Sequence, residues 1–228
     1  MKKAKRLSLA AVMALALMTA LWAPAALASE PQFEASSYPA TVKGDVTESH
    51  TLTFNNGGIE VTCNDVDFSN DVLTAPRDFL IPEADYSDCA GIRAGRQTLQ
   101  AEVDMNSCVH VLNVDHEGLN GIYWGGWDTW CYPDDAMQVK VWSTSQNPAV
   151  DSPQCVFDIT PGQFDDGDAY DDLLWSSYSD VVHFLVDDLA YVRSGGSVLL
   201  CGSASATNGT YDGKSFMYAS TGGFTITD

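Results

Sequence analysis

Three tryptophans stand within seven residues in the segment Tyr123-Trp124-Gly125-Gly126-Trp127-Asp128-Thr129-Trp130-Cys131-Tyr132. Indole faces stack on sugar rings and other flat apolar surfaces, and a glycine pair allows a ligand or a loop to approach the backbone closely. Asp128 and Thr129 carry the oxygens that would hydrogen-bond hydroxyl groups. Tyr123, Trp124, Trp127, Asp128 and Trp130 are therefore the candidate binding residues, with an extracellular or cell-wall glycan as ligand. The competing reading is packing, because tryptophan is large apolar payload and Cys131 adjoins the run.

A second concentration of chemistry is Asp165-Asp166-Gly167-Asp168-Ala169-Tyr170-Asp171-Asp172, with five carboxylates in eight residues. Calcium takes its oxygens from clusters of this kind, and Asp165, Asp166 and Asp168 are the candidate ligands. The EF-hand template fails, since no glycine follows the third ligand position and no glutamate closes the loop. A solvated acidic loop is the alternative. No other cofactor is implied.

Catalytic signatures are incomplete. His116-Glu117-Gly118-Leu119-Asn120 has asparagine where a zinc-protease motif requires its second histidine. Gly195-Gly196-Ser197-Val198-Leu199 lacks the final glycine of a nucleophile elbow. His110 has Asp115 and Glu117 close in sequence as acid–base neighbours. With 31 acidic residues a carboxylate pair for glycoside hydrolysis is a second function class, defined by spatial separation that sequence does not supply. No catalytic residue is assigned, and the reading leans away from an enzyme. A purely structural envelope protein is the third class.

The elements that must position these residues are strands. Leu52–Phe54 and Ile59–Cys63 alternate apolar and polar around Asn55-Asn56-Gly57-Gly58, a hairpin signal because asparagine and glycine tolerate positive φ. The apolar parity switches from Ile59, Val61 and Cys63 to Val66 and Phe68, which predicts a bulge or bend at Asn64-Asp65. Further predicted strands are Leu99–Met105, Cys108–Val114, Met137–Trp142, Val156–Ile159, Val181–Val186, Ser197–Cys201 and Phe224–Thr227. Thr207-Asn208-Gly209-Thr210 reads as a tight turn, Ala169–Tyr178 as the best helical piece, and residues 143–154 as a long loop or linker. Many short strands between turn residues predict an all-β, antiparallel sandwich or barrel-like fold.

The N-terminus has the three parts of a secretory signal. A basic segment, Lys2, Lys3, Lys5 and Arg6, precedes the apolar run Leu7–Leu21 and a small-residue site at Ala26-Leu27-Ala28. The expectation is a signal peptide over residues 1–28 and one secreted domain over 29–228, with no membrane span after its removal. In an oxidising compartment the six cysteines read as disulfides. Pairing along the chain joins Cys63 with Cys89, Cys108 with Cys131, and Cys155 with Cys201, each worth roughly 3–4 kcal/mol. Zinc is rejected, as there is no Cys-x-x-Cys or His-x-His spacing. Removing residues 1–28 takes four of the 11 basic residues and no acidic one, so seven face 31, a net charge of −24. Such a field repels phosphate backbones and anionic lipid, which excludes nucleic acid and suits loose cation binding or a basic protein as partner, beside the cell-wall or extracellular glycan of the aromatic segment.

Taken together, Phe33, Tyr38-Pro39-Ala40-Thr41, Gly44, His50, Val61-Thr62-Cys63, Phe68, Pro82, Tyr86 and Cys89 resemble a family of exported actinobacterial proteins with no assigned activity. Asn106-Ser107-Cys108, Cys131-Tyr132-Pro133, Cys155, Pro161, Gln163 and Thr207–Tyr211 extend the likeness over nearly the whole mature chain. The resemblance implies paired cysteines and an exported β architecture, and it carries over no catalytic residue. The chain departs from that pattern at Tyr123–Tyr132 and at Asp165–Asp172, where an individual member would place a function of its own.

Overall fold

The computed structural model describes residues 30–95, 97–118, 121–132, 135–159, 172–176 and 180–227. The residues of the predicted signal peptide and the aspartates 165, 166 and 168 lie outside them. In chain order the strands are β1 (Gln32–Ala35), β2 (Ala40–Phe54), β3 (Ile59–Leu73), β4 (Phe79–Leu80), β5 (Glu83–Arg93) and β6 (Gln97–Asp104). They continue as β7 (Val109–Asn113), β8 (His116–Glu117), β9 (Ile122–Gly125), β10 (Trp127–Trp130), β11 (Met137–Ser143) and β12 (Cys155–Ile159). The last are β13 (Asp172–Ser176), β14 (Val181–Gly196), β15 (Ser205–Ala219) and β16 (Phe224–Thr227), with one helical turn, α1 (Val198–Cys201), before β15.

Eight of these strands close on themselves. Going around, β2, β3, β5, β6, β11, β12, β14 and β15 are each hydrogen-bonded antiparallel to the next, and β15 returns to β2. This is an up-and-down barrel, an arrangement that leaves no open sheet edge. The 16-residue β14 makes closure possible by changing partner along its length. Its first half pairs with β13, and its second half, Tyr191–Gly196, pairs with β12.

The two ends of the barrel differ. At one end the connections are the 55–58 hairpin, the β5–β6 turn, the 144–154 loop and α1. At the other, every connection is enlarged: β4, the β7–β10 insertion, β13, and the β1–β16 pair all belong to that end. There a three-stranded sheet, ordered β10-β7-β4, forms a cap.

Most expectations from pattern hold. The hairpin is present, with Asn55, Asn56 and Gly57 all at positive φ. The parity switch is present too: Cys63 and Val66 point inward while Asn64 and Asp65 are exposed. Its partner strand shares the bend, because Asp88 adopts φ 50° and Asn64 Nδ2 donates to its carboxylate at 3.1 Å. All three disulfides join the expected partners. Cys63 and Cys89 are directly opposite on β3 and β5, and Cys155–Cys201 ties β12 to α1.

Three local expectations are overturned. Ser197–Cys201 is not a strand. Gly196 and Gly202, at φ 87° and 77°, turn the chain on both sides, and only Cys201 of the helical turn is buried. Thr207–Thr210 is not a turn but lies inside β15, beside a register shift opposite Asp188. Gly209 is required there because a Cβ would stand about 3 Å from the carbonyls of Leu189 and Thr53. Within Ala169–Tyr178, residues 172–176 form a strand, since hydrogen-bonding edges of β14 and β9 lie on either side of it. Pairing available on both sides outweighs a weak local helical preference.

Candidate functional site

The cap sheet has two faces, and strand alternation assigns them. In β10 and β7 the register pairs Trp127 with Leu112 and Thr129 with His110, all buried. The intervening Asp128 and Trp130 pair with Val111 and Val109 on the outer face. The predicted binding residues are thereby separated. Trp127 turns into the barrel, Tyr123 is buried, Trp124 is partly exposed on β9, and Trp130 is 54% exposed. Gly125 and Gly126 accommodate no ligand. The carbonyl of Asn113 occupies the place of a Cβ at position 125, and the Gly126 N–H donates to the Asn113 side chain.

The inner face enters a buried polar chain. The Trp127 indole N–H donates to His110 Nδ1 at 2.9 Å. His110 Nε2 lies 2.9 Å from the Tyr86 hydroxyl, which lies 2.8 Å from the Tyr211 hydroxyl. Tyr211 in turn lies 2.5 Å from His50 Nδ1, and His50 Nε2 lies 2.9 Å from Ser215 Oγ. An indole nitrogen only donates, so its proton fixes every other one. His110 must accept at Nδ1 and donate from Nε2 to Tyr86. Tyr86 then donates to Tyr211, Tyr211 to His50 Nδ1, and His50 Nε2 to Ser215. The reverse order would leave His110 with no proton on either nitrogen. Both imidazoles are thus neutral. Burial lowers His50 to about 4 and His110 to about 3, and the neighbouring His50 adds to the effect on His110.

Packing around the chain is aromatic. Trp127 stacks on Tyr211 at 4.9 Å, and Phe184 stacks on Phe68 at 5.4 Å. The His50 ring fills the space a side chain at Gly213 would need. His110 therefore has neither Asp115 nor Glu117 as a partner in this network, contrary to the acid–base cluster their proximity in sequence predicted. These buried histidine and aromatic side chains occupy the capped end of the barrel, where a barrel fold commonly takes its ligand.

The outer face is open. A cleft of about 630 Å³ lies there, walled by Phe79, Ile81, Val111, Val114 and Trp130. Its rim carries Glu30, Asp78 and Asp115 together with Asn113. Asn113 Nδ2 donates to Asp115 at 3.0 Å, which orients that carboxylate. The Cys108–Cys131 disulfide occupies the ladder position next to the Val109–Trp130 pair and so holds Trp130 in register. Tyr132 leans against Trp130 with ring centroids 5.9 Å apart. Of the predicted residues only Trp130 lines the cleft. The alternation of β7 and the spacing of Cys108 and Cys131 were the sequence signals pointing to it. Nothing in the sequence brought Phe79 and Ile81 beside Trp130.

Other predicted chemistry is not assembled. No group of three or more histidine, cysteine, aspartate or glutamate side chains suited to a metal ion occurs among the described residues. Among the described residues the carboxyl groups raised in pKa, Asp67 and Asp180, lie outside the cleft. Burial raises both, and Asp65, Asp45 and Asp85 add repulsion at Asp67 on the barrel wall. No described helix is long and apolar enough to cross a membrane. No protein-family model, curated protein or solved structure matches the chain.

Proposed function

We propose that this protein is an exported, non-enzymatic binding barrel that takes a carbohydrate-type ligand in the cleft on the outer face of its cap. The observation that carries the reading is Trp130. A half-exposed indole, fixed by an adjacent disulfide and set in a concave apolar wall with polar rim groups, is the combination that stacks a sugar ring and orients its hydroxyls. Three disulfides agree with folding in an oxidising compartment, and the leader-like residues 1–28 and the resemblance to exported actinobacterial proteins give the same direction. Binding is favoured over a carboxylate-pair hydrolase because, among the described residues, the carboxyls with raised pKa lie away from the cleft.

The test is a fluorescence and calorimetric titration of the exported protein with cell-wall and other extracellular oligosaccharides. Saturable binding should be lost in Trp130→Ala and kept in Trp124→Ala. Binding that survives Trp130→Ala, or no binding to any saccharide, would reject the reading.

A further inference from the structure

We infer that the saccharide taken by the Trp130 cleft carries free ammonium groups: an amino-sugar oligomer rather than a neutral or N-acetylated one. This deepens the binding reading above and rests on it. Glu30, Asp78 and Asp115 line the cleft, and among the described residues no lysine or arginine does. Arg77 sits over the outer-wall ring of Phe79 at 5.0 Å from its centroid and is paired with Asp71. Asp71 also accepts the Ile81 N–H at 2.8 Å, so the Arg77 charge is neutralised within the wall and does not offset the rim.

A neutral glycan would stack on Trp130 and leave the carboxylates that line the cleft without a counter-charge from the ligand. An anionic one would be repelled, the more so by a chain of net charge −20. An ammonium-bearing pyranose satisfies both features at once. Its C–H face lies on the indole, and its nitrogens reach the carboxylates or the indole face itself. A cavity of about 630 Å³ is of small-molecule size, which favours a short oligosaccharide over the surface of a folded protein.

The experiment compares glucosamine and N-acetylglucosamine tetramers by calorimetry, at low and high salt, on the wild type, Trp130→Ala and Asp78→Asn/Asp115→Asn. The glucosamine tetramer should bind the wild type more tightly than its N-acetylated counterpart. Its affinity should fall with salt and drop roughly 5- to 10-fold in the double variant, the sum of two exposed ion pairs. Trp130→Ala should weaken both saccharides. Equal binding of the two tetramers, or a double variant unchanged toward glucosamine, overturns the charge inference while the binding reading stands. No binding of either saccharide removes the binding reading as well. Hexalysine binding as tightly as glucosamine, with neither ligand affected by Trp130→Ala, overturns the cleft as the site.

Discussion

Lowering the pH to 5 should destabilise this barrel through His50 and His110 before carboxylate protonation contributes. Both imidazoles are buried and neutral in the fold, with values near 4 and 3 instead of the ordinary 6.5. A histidine depressed in this way leaves stability unaffected above 6.5. Below 6.5 the unfolded chain takes up protons that the folded chain refuses, so stability falls. Each group contributes about 1.4 kcal/mol per pH unit, and two contribute about 2.7. Between pH 6.5, where the unfolded imidazoles are half protonated, and pH 5 the loss from the two is about 3 kcal/mol, a large part of the 5–15 kcal/mol typical of a domain. The groups facing the pair are the tyrosines at 86 and 211, Ser215, Thr129, Trp127 and, for His50, the Lys214 backbone, all uncharged; the Lys214 backbone and then Asp212 partly oppose the effect of burial on His50. The assay is guanidinium unfolding followed by tryptophan fluorescence between pH 7.5 and 5, disulfides intact. The His50→Gln/His110→Gln variant, whatever its absolute stability, should show a flatter profile. Wild-type stability constant within about 1 kcal/mol over this range, or an unchanged slope in the double variant, would refute the assignment of two neutral buried histidines.

Four further variants test the same structure. Trp127→Phe removes the 2.9 Å donor to His110 Nδ1, leaving among the described residues a 3.5 Å contact from Thr129, and should cost about 1–3 kcal/mol in denaturant unfolding. The same variant should let His110 change tautomer, read from its ring ¹⁵N shifts. Gly213→Ala drives a methyl into the His50 ring and should lower stability by about 1–3 kcal/mol, measured by thermal unfolding. Replacing Cys155 and Cys201 by serine opens a 46-residue loop and should cost about 4 kcal/mol by chain entropy, seen as a lower denaturant midpoint. Leu199→Ser, at a side chain 97% exposed, should change stability by less than about 0.5 kcal/mol in the same assay.

The sequence by itself determined the elements whose signals are local. Asparagine and glycine at 55–57 wrote the hairpin, because few other residues occupy positive φ cheaply. The shift from Cys63 to Val66 wrote the bend, because a strand face changes only if the chain gains a residue or kinks. Even the disulfide pairing follows chain order, since each bridge joins neighbouring elements. What only the tertiary structure decided is which way each aromatic of 123–130 faces and what it meets. Trp127 and Trp130 are three residues apart on one strand, so alternation must send them to opposite faces, yet only barrel closure makes one of those faces an interior. The same closure brings His50, Tyr86, His110 and Tyr211 together from four separate strands. The order of their protons then depends on a single indole N–H delivered by a distant insertion. Contacts made across such sequence distances leave no periodic trace, which is why the aromatic segment was visible in the chain and its division between core and cleft was not.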